Sequence, residues 1–258
     1  MSELLIKVGC CGWAVRGGKE AYFRVFNLIE LQDTFYKLPK ISTAEKWRSI
    51  APNSFEFTLK AWQVITHPPT SPTWKRAKLK IKPNMKDKYG FLRPTEENFR
   101  AWEQTLNICR ALKAKICVFQ TPPSFGFSNK NVENVKNFFS SISRNGISLA
   151  WEPRGTWNNH LDIVKKLCDS LDLIHVVDVF RRMPVSSHST CYIRLHGIGK
   201  GEVNYKYKYT DDDLMTLLNK VKELFNLGYA EVYVLFNNVY MADDALRFKK
   251  LIEDKLGS

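Results

Sequence analysis

In the stretch CYIRLHG, residues 191–197, Tyr192, Arg194 and His196 share one face of a strand, because side chains two positions apart point the same way. Ile193 and Leu195 take the opposite, apolar face, which suits contact with a covering helix. The charged residues of the first face come late in the stretch, so this strand carries polar groups at its carboxyl end.

Two other stretches repeat this pattern. In LAWEPR, residues 149–154, Glu152 and Arg154 oppose apolar residues, and in FEFTLK, residues 55–60, the polar face ends in Lys60. Three strands therefore direct charged side chains to the same kind of position, as expected if they line the interior of one closed sheet.

Short apolar runs of this kind recur eight times along the chain, and several are followed by segments with helical spacing. We predict strands at 5–11, 28–34, 55–61, 115–121, 147–153, 173–179, 190–196 and 230–237, and helices at 96–112, 130–142, 158–170, 210–227 and 241–255. This alternation predicts an α/β fold, a (β/α)8 TIM barrel.

The chain length fits one such barrel. Its 258 residues predict a single domain spanning 1–258, with one long interruption at 67–94 after the third strand. The interruption is rich in Pro and Lys and too long for an ordinary βα loop, so we expect a basic excursion that serves as a lid or binding loop.

Charge and cysteine content narrow the class of protein. The net charge is +13, and residues 74–93 alone carry eight Lys or Arg against one acid, Asp87. The positive electrostatic field of such a segment suits the binding of nucleic acid or a phosphorylated metabolite, although a solvated lysine-rich loop gives the same pattern.

The six cysteines lack metal-ligand spacing, which indicates buried thiols. With no apolar run of about 18 residues, we expect a cytoplasmic protein that makes no membrane contact.

Polar side chains end seven of the eight predicted strands. Because the carboxyl ends of barrel strands meet at one face, we expect these side chains to converge there. They are Glu30, Gln32, Lys60, Gln120, Glu152, Arg154, Asp178, Arg194, His196, Asn237 and Asn238.

At these same positions the sequence resembles the YecE-like family, domain of unknown function 72. The matching motifs are GCCGW at 9–13, ELQDTFY at 30–36, FEFTLKAWQVITH at 55–67, QTPPSF at 120–125, WEPRGTW at 151–157, YIRLHG at 192–197 and VYVLFNN at 232–238. The resemblance implies a TIM-type barrel and a polar pocket that contains Lys60, His67, Glu152, Arg154, Arg194, His196, Asn237 and Asn238. It implies no reaction. Gln32 and Asp33 depart from the family's usual Asn-Ser, and Cys10 and Cys11 replace the usual Thr and Ser.

The residue types favour an enzyme that acts on an anionic substrate, either a phosphorylated small molecule or nucleic acid, and they suggest a hydrolase. We predict that Glu152, His196 and Lys60 are catalytic, since a pocket can bring the pKa of each group near neutrality. Substrate-binding roles are predicted for Arg154, Arg194, Gln120, Asn237, Asn238, Asp178, His67, Trp13 and Tyr36. Arginine forks suit phosphate oxygens.

Other interpretations remain open. One is a non-catalytic nucleic-acid binder, in which Tyr205, Tyr207 and Tyr209 of the Lys/Tyr segment 199–210 stack on bases, or else form an ordinary loop. Another is a Schiff-base or isomerase-type enzyme that uses Lys60 on a carbonyl or sugar substrate. We expect no cofactor. A metal is not favoured, because cations beside the carboxylates oppose its binding. The oligomeric state is left open.

Overall fold

The structure, a computed structural model, describes residues 5–256. Eight parallel strands close into a barrel in which each strand pairs with its neighbours in sequence and β8 pairs with β1. The strands are β1 (Leu5–Cys10), β2 (Leu28–Leu31), β3 (Glu56–Lys60), β4 (Ile116–Gln120), β5 (Ser148–Glu152), β6 (Leu173–Val177), β7 (Thr190–Leu195) and β8 (Glu231–Phe236). The predicted single-domain TIM barrel is confirmed, and each predicted strand contains an observed one.

Helices cover the outside of the barrel. They are α1 (Gly18–Val25), α2 (Asp33–Tyr36), α3 (Ile41–Ile50), α4 (Gln63–Thr66), α5 (Glu96–Leu112), α6 (Asn129–Ser141), α7 (Leu161–Ser170), α8 (Asp211–Asn226) and α9 (Met241–Leu256). None of the helices in this part of the chain combines the length and apolar character needed to cross a bilayer.

The five predicted helices correspond to α5 to α9 and are confirmed, whereas α1 to α4 have no predicted counterpart. Two of the missed helices have only four residues, and the ten residues of α3 bury Ala44 but no other side chain completely. An apolar stripe is the main signal for a helix in a sequence, and α3 has almost none. The N-terminus of α8 does carry its expected signal, because Thr210 and Asp213 form a capping box.

The alternation of side chains divides the apolar residues into two layers. Ile193 and Leu195 of β7 lie in the layer between barrel and helices, and Tyr192 lies inside the barrel with Tyr233 and Leu235 of β8. Side chains two apart share a face, so the parity of each strand determines which residues enter the barrel. The interior is therefore packed rather than open.

An ion-pair cluster lies inside the barrel at the amino ends of the strands. Lys7 Nζ lies 2.6 Å from Glu56 Oε1 and 2.5 Å from Glu231 Oε1, and Tyr233 Oη donates to Glu56 Oε2 at 2.7 Å. Lys7 is thus a lysine of the barrel interior whose amine has two carboxylate partners. Lys60 is the corresponding lysine at the opposite mouth of the barrel.

The cysteines lie within the packed layers. All six are free and buried, as predicted. Cys10 belongs to the layer between barrel and helices and Cys11 to the barrel interior, so their side chains point to opposite faces of the sheet.

The excursion at 67–94 is folded onto the barrel. Two short 3-10 turns, Pro72–Ala77 and Pro83–Lys88, place Trp74 in the core, while the Lys side chains stay exposed. Its end returns to its beginning, because Gly90 N donates to Val64 O at 2.8 Å. Gly90 has a φ of 74°, and a Cβ there would lie 2.4 Å from the carbonyl oxygen of His67. Glycine is therefore required where the excursion closes.

Candidate active site at the carboxyl mouth

Glu152 is the centre of a buried ionic cluster at the carboxyl ends of the strands. One of its oxygens, Oε2, accepts from Arg194 Nη1, and the other, Oε1, accepts from Arg154 Nε at 2.7 Å. Arg194 is 0 % exposed, and its Nη2 lies 3.0 Å from Oε1 of Glu30, which is also 0 % exposed. Buried charges are costly unless paired, and these residues of β2, β5 and β7 form the pairs.

Neutral groups extend this cluster to neighbouring strands. Tyr192 Oη donates to Glu30 Oε2 at 2.9 Å and lies 2.7 Å from Thr58 Oγ1. Gln120 Oε1 accepts from Arg194 Nη1 at 3.3 Å, and Gln32 Nε2 donates to Glu30. The polar residues of β2, β3, β4, β5 and β7 therefore share one connected network.

The arginines determine the charge of Glu152. Burial by itself would raise the pKa of this carboxyl, but the positive charges of Arg154 and Arg194 hold its pKa well below its usual range. Burial also tends to lower the pKa of Arg194, whereas Glu30 and Glu152 raise it well above its usual value. Both partners are consequently ionised at neutral pH.

His196 lies beside Glu152 and is held from several sides. Its Nε2 lies 3.5 Å from Glu152 Oε1 and 3.3 Å from Arg154 Nη2, and its Nδ1 lies 3.1 Å from Asn237 Nδ2. Asn237 Nδ2 is a donor, so Nδ1 accepts from it in the tautomer whose ring proton lies on Nε2, on the side of Glu152. Burial lowers the pKa of His196 to about 4, although Glu152 opposes this shift, so the ring is neutral at pH 7.

Lys60, the last residue of β3, is a cation of the site with no carboxylate partner in the described part of the chain. Its side chain is buried, and its Nζ lies 3.7 Å from the centroid of the Phe35 ring. No Asp or Glu between residues 5 and 256 forms an ion pair with it. Burial lowers the pKa of Lys60 to about 7, and the charges of Arg194 and Arg154 contribute further. A fraction of this amine is therefore neutral at physiological pH.

His67 and Asp178 border the cluster. The His67 ring packs on Phe35, the same ring that Lys60 faces, with centroids 4.9 Å apart, and burial lowers the pKa of His67 to about 3. Asp178 Oδ2 accepts from the backbone N–H of His196 at 3.0 Å, and its Oδ1 accepts from Phe180 N at 3.0 Å. Asp178 thus holds the backbone at the end of β7 in place.

Three residues predicted to bind substrate lie in other surroundings. Asn238 points away from the barrel interior, where its Nδ2 donates to Asp244 Oδ2 at 2.7 Å and to Tyr207 O at 2.8 Å. Trp13 packs edge-on against Tyr22 with centroids 5.4 Å apart, in an aromatic group that also contains Phe23, Trp47 and Phe57. The structure does not bring Asn238 or Trp13 to the cluster.

Tyr36, the third of them, lies where the excursion meets the barrel. The Arg76 guanidinium lies 4.5 Å from its ring centroid, and its carbonyl oxygen accepts from Trp62 Nε1 at 3.4 Å. These contacts link Tyr36 to the basic excursion rather than to Glu152.

The Lys/Tyr segment after β7 is not a row of free aromatic rings. Tyr209 is buried and its hydroxyl accepts from Gly197 N at 2.8 Å, while the Tyr207 hydroxyl donates to Asp213 Oδ2 at 2.7 Å. Tyr205 is 44 % exposed, and its ring centroid lies 6.0 Å from that of His196. The buried ring of Tyr209 is not available for base stacking, and Tyr205 is the most exposed ring of the three.

Phe35 is a site residue that the sequence analysis did not single out. It lies in the motif ELQDTFY, one position before the predicted Tyr36, and packs against both Lys60 and His67. The residue type of an apolar ring in a short helix does not indicate a functional site, so Phe35 is assigned to the site only by its contacts.

The arrangement of acidic and histidine side chains bears on metal binding. Between residues 5 and 256, no three His, Cys, Asp or Glu side chains are grouped closely enough to hold a metal ion. Both carboxylate oxygens of Glu152 are instead bonded by arginine. The expectation of a metal-independent site stays a prediction.

A small cavity opens beside this cluster between β5, β6 and β7. Its lining includes Glu152, Arg154, Asp178 and His196, together with Arg182, which pairs with Glu202 at 2.6 Å. Arg154 is thus the arginine of the cluster that borders open space, whereas Arg194 is enclosed.

The chain is similar to known proteins over nearly its whole length. The chain is 23 % identical to UPF0759 protein YunF of Bacillus subtilis (strain 168), over 96 % of this chain and 94 % of that one. The crystal structure of a DUF72 family protein (EF0366) from Enterococcus faecalis V583 superposes with a TM-score of 0.75 at 18 % identity, covering 98 % of this chain and 99 % of the other. For a DUF72 family protein (TM1631) from Thermotoga maritima MSB8 the TM-score is 0.68 at 25 % identity, with 96 % and 99 % covered.

More distant neighbours share the barrel. They include endonuclease IV from Thermus thermophilus (TM-score 0.54, 8 % identity) and a D-tagatose 3-epimerase-like protein (TM-score 0.53, 18 % identity), each covering nearly all of both chains. At such identities the likeness shows the fold alone. The family model described as "Protein of unknown function DUF72" matches residues 7–258, and the chain therefore belongs to the DUF72 family.

Proposed function

We propose that the protein is an enzyme that binds an anionic substrate, such as a phosphorylated compound, at the carboxyl mouth of the barrel and transfers protons there. The observation that carries the proposal is the isolated amine of Lys60. Arg194 and Arg154 occupy the oxygens of Glu152, and Glu30 pairs with Arg194, so no carboxylate of residues 5–256 pairs with Lys60 when it is protonated. A substrate anion would supply the missing negative charge.

The residues differ in the roles that their surroundings allow. Arg154 borders the cavity, so it is the arginine placed to contact a substrate anion, through the guanidinium N–H groups that Glu152 does not occupy. Arg194 is fully enclosed between Glu30 and Glu152, and we assign it the role of positioning Glu152. Lys60 is the group whose pKa lies near neutrality, which suits it to gain and lose a proton.

The pKa values also distinguish among the three residues predicted to be catalytic. Glu152 stays ionised because two arginines stabilise its charge, so it orients His196 and Arg154 more readily than it donates a proton. His196 is neutral and keeps its Nδ1 bonded to Asn237, which leaves Nε2 on the side of the cavity. We propose Lys60 as the principal proton-transfer group and His196 as a neutral hydrogen-bond donor.

The fold itself does not choose the substrate. Proteins named as an endonuclease and as an epimerase share this barrel at low identity, so the substrate class must come from the residues at the mouth.

Sulfate binding tests the proposal directly. A bound anion raises the pKa of Lys60, so the protein takes up close to one proton per sulfate at pH 8 and much less below pH 6. Calorimetry in two buffers of different ionisation enthalpy measures this uptake.

Two variants identify the groups responsible. Lys60→Met abolishes the proton uptake, and Arg154→Met weakens sulfate binding by at least about tenfold, the loss of one charge-assisted contact. Lys130→Met, on the exposed start of α6, serves as the control and changes neither quantity. Sulfate binding that is unchanged in both site variants would contradict the proposed anion site, and so would the absence of binding at tens of millimolar.

Nucleic-acid binding is a second candidate function, favoured by the excursion. The 3-10 turns and the residues that join them expose Lys75, Lys78, Lys80, Lys82 and Lys88, while Trp74 of the same segment is buried. Positive side chains held on a folded surface lose little entropy when they contact phosphates.

The salt dependence of oligonucleotide binding separates the two candidates. Replacing Lys78, Lys80 and Lys82 together by Gln lowers the slope of log K against log salt by about 0.9 for each lost duplex phosphate contact. The fluorescence anisotropy of a labelled duplex, titrated at several salt concentrations, measures this slope. If binding instead depends on Lys60 and Arg154, the nucleic acid occupies the mouth and the excursion is not its docking surface.

A further inference from the structure

Lys60 differs from the other barrel lysine in what surrounds its amine. Lys7 lies between the carboxylates of Glu56 and Glu231, whereas Lys60 Nζ faces the ring of Phe35 at 3.7 Å. The charged and titratable groups around Lys60 come from several elements: Glu30 from β2, His67 after α4, Glu152 from β5, Arg154 after β5 and Arg194 from β7. Both carboxylates in this set are already bonded to arginine.

We propose that Lys60 is a nucleophile that forms an imine with the carbonyl carbon of a substrate that also carries a phosphate or carboxylate group. This inference rests on the proposed anion site and adds to it a covalent step and a substrate class. It draws on the buried position of the amine, the absence of a carboxylate partner for it among residues 5–256, and the nearby charge of Arg154, an arginine that borders the cavity.

The step is chemically balanced without any other reagent. The lone pair of the neutral Lys60 amine adds to the carbonyl carbon while the π electrons move to oxygen, and a proton passes from nitrogen to that oxygen. The carbinolamine then loses water, so that amine and carbonyl become imine and water. A proton taken up from solvent converts the imine into an iminium ion, which withdraws electrons from the adjacent carbon.

The same surroundings explain why the carbonyl substrate should be anionic. An iminium ion places a positive charge where Arg154 and Arg194 already disfavour one, as they do for the Lys60 ammonium. A phosphate or carboxylate on the substrate offsets that charge and can bind Arg154 at the edge of the cavity.

Burial and the two arginines also keep the amine reactive. They lower the pKa of Lys60 to about 7, so about half of the amine is neutral at pH 7, whereas an ordinary lysine is neutral in only about one molecule in 3,000. Lys7, whose carboxylate partners raise its pKa, is protected from the same reaction.

Reductive trapping with two small aldehydes of similar size tests the inference. Glyoxylate carries a carboxylate beside its aldehyde, and acetaldehyde carries no charge. With cyanoborohydride at pH 7, glyoxylate converts Lys60 to carboxymethyl-lysine at least tenfold faster than it converts Lys7 or the exposed Lys130, as measured by peptide mass spectrometry. The preference for glyoxylate over acetaldehyde is at least fivefold greater at Lys60 than at Lys130.

The pH profile and a variant give independent readouts. Labelling of Lys60 rises about tenfold between pH 6 and pH 8 and then levels off, whereas labelling of Lys130 continues to rise. Lys60→Met removes this labelling, and circular dichroism confirms that the variant is folded. Labelling of Lys60 that is no faster than that of Lys130 overturns the inference.

The outcomes separate the imine from the anion site. If sulfate binds through Arg154 but Lys60 is not trapped, the imine fails and the proposed function stands. If Lys60 is trapped equally by both aldehydes and sulfate does not bind, the anionic substrate class fails for both.

Discussion

Replacing Glu152 by Gln tests whether this carboxylate holds the ionic cluster together. The change leaves Arg194, which is 0 % exposed, with Glu30 as its remaining counter-ion, and it removes the charge that faces Arg154. Losing one partner of a buried pair costs about 3–5 kcal/mol, and the amide oxygen of Gln recovers about 1 kcal/mol of this by hydrogen bonding. We expect a loss of about 2–4 kcal/mol in the free energy of unfolding.

Urea denaturation at pH 7 measures this loss, and thermal unfolding should show a drop of about 5–15 °C. Glu231→Gln is the matched control at the other mouth. Its carboxylate pairs with Lys7 in a cluster whose side chains are 17–20 % exposed, and Lys7 retains Glu56, so we expect a loss of about 1 kcal/mol or less.

The same variant changes the electrostatics of Lys60. The Glu152 charge raises the pKa of that amine, so its removal should move the pH profile of glyoxylate labelling to lower pH. Glu152→Gln that is as stable as Glu231→Gln, with an unshifted labelling profile, would refute the role of Glu152 as the ionised centre of the cluster.

Three further changes test other parts of the structure. Burial lowers the pKa of His175 to about 3, and its Nδ1 accepts from Val185 N at 3.2 Å, so the unfolded chain, with a pKa near 6.5, binds the proton more tightly. Stability should therefore fall by about 2 kcal/mol from this group between pH 7 and pH 5, and urea titrations of His175→Gln should lack that part of the loss. Gly90→Ala should cost about 1–3 kcal/mol and speed proteolysis within the excursion, because its Cβ meets a carbonyl oxygen at 2.4 Å; equal cleavage rates would contradict this. Tyr209→Phe should cost about 1–3 kcal/mol in urea denaturation, since Gly197 N loses its acceptor, whereas Tyr205→Phe, at an exposed ring, should be neutral; equal effects would contradict the assignment.

Local patterns explain why much of the mouth could be predicted. Strand side chains alternate with a period of two, so the parity of CYIRLHG already places Arg194 and His196 on one face and Leu195 on the other. The position of Lys60 at the end of its strand follows in the same way. Helices with a wide apolar stripe, such as α5, were predictable for a similar reason, and α3 was not, because it buries little.

Strand alternation also accounts for the neighbours Asn237 and Asn238, because Asn237 bonds His196 inside the mouth and Asn238 bonds Asp244 on the other side of the sheet. The loop after β7 shows where local patterns stop. Tyr205 and Tyr209 belong to one alternating segment, but one is exposed and the other is buried. The course of the chain through the loop after β7 causes this difference, and no periodicity records it.

The barrel, its eight strands and the residue types that end them follow from the amino-acid sequence, because strand parity and strand position are properties of neighbouring residues. The pairing of the charges depends on how the strands are arranged in space. Arg194 comes from a strand far away in sequence to bind both Glu152 and Glu30, and Lys60 faces Phe35 with no carboxylate partner among residues 5–256. Coulomb energy and burial depend on distance in space, so the unpaired amine that carries our proposals appears only once the barrel closes.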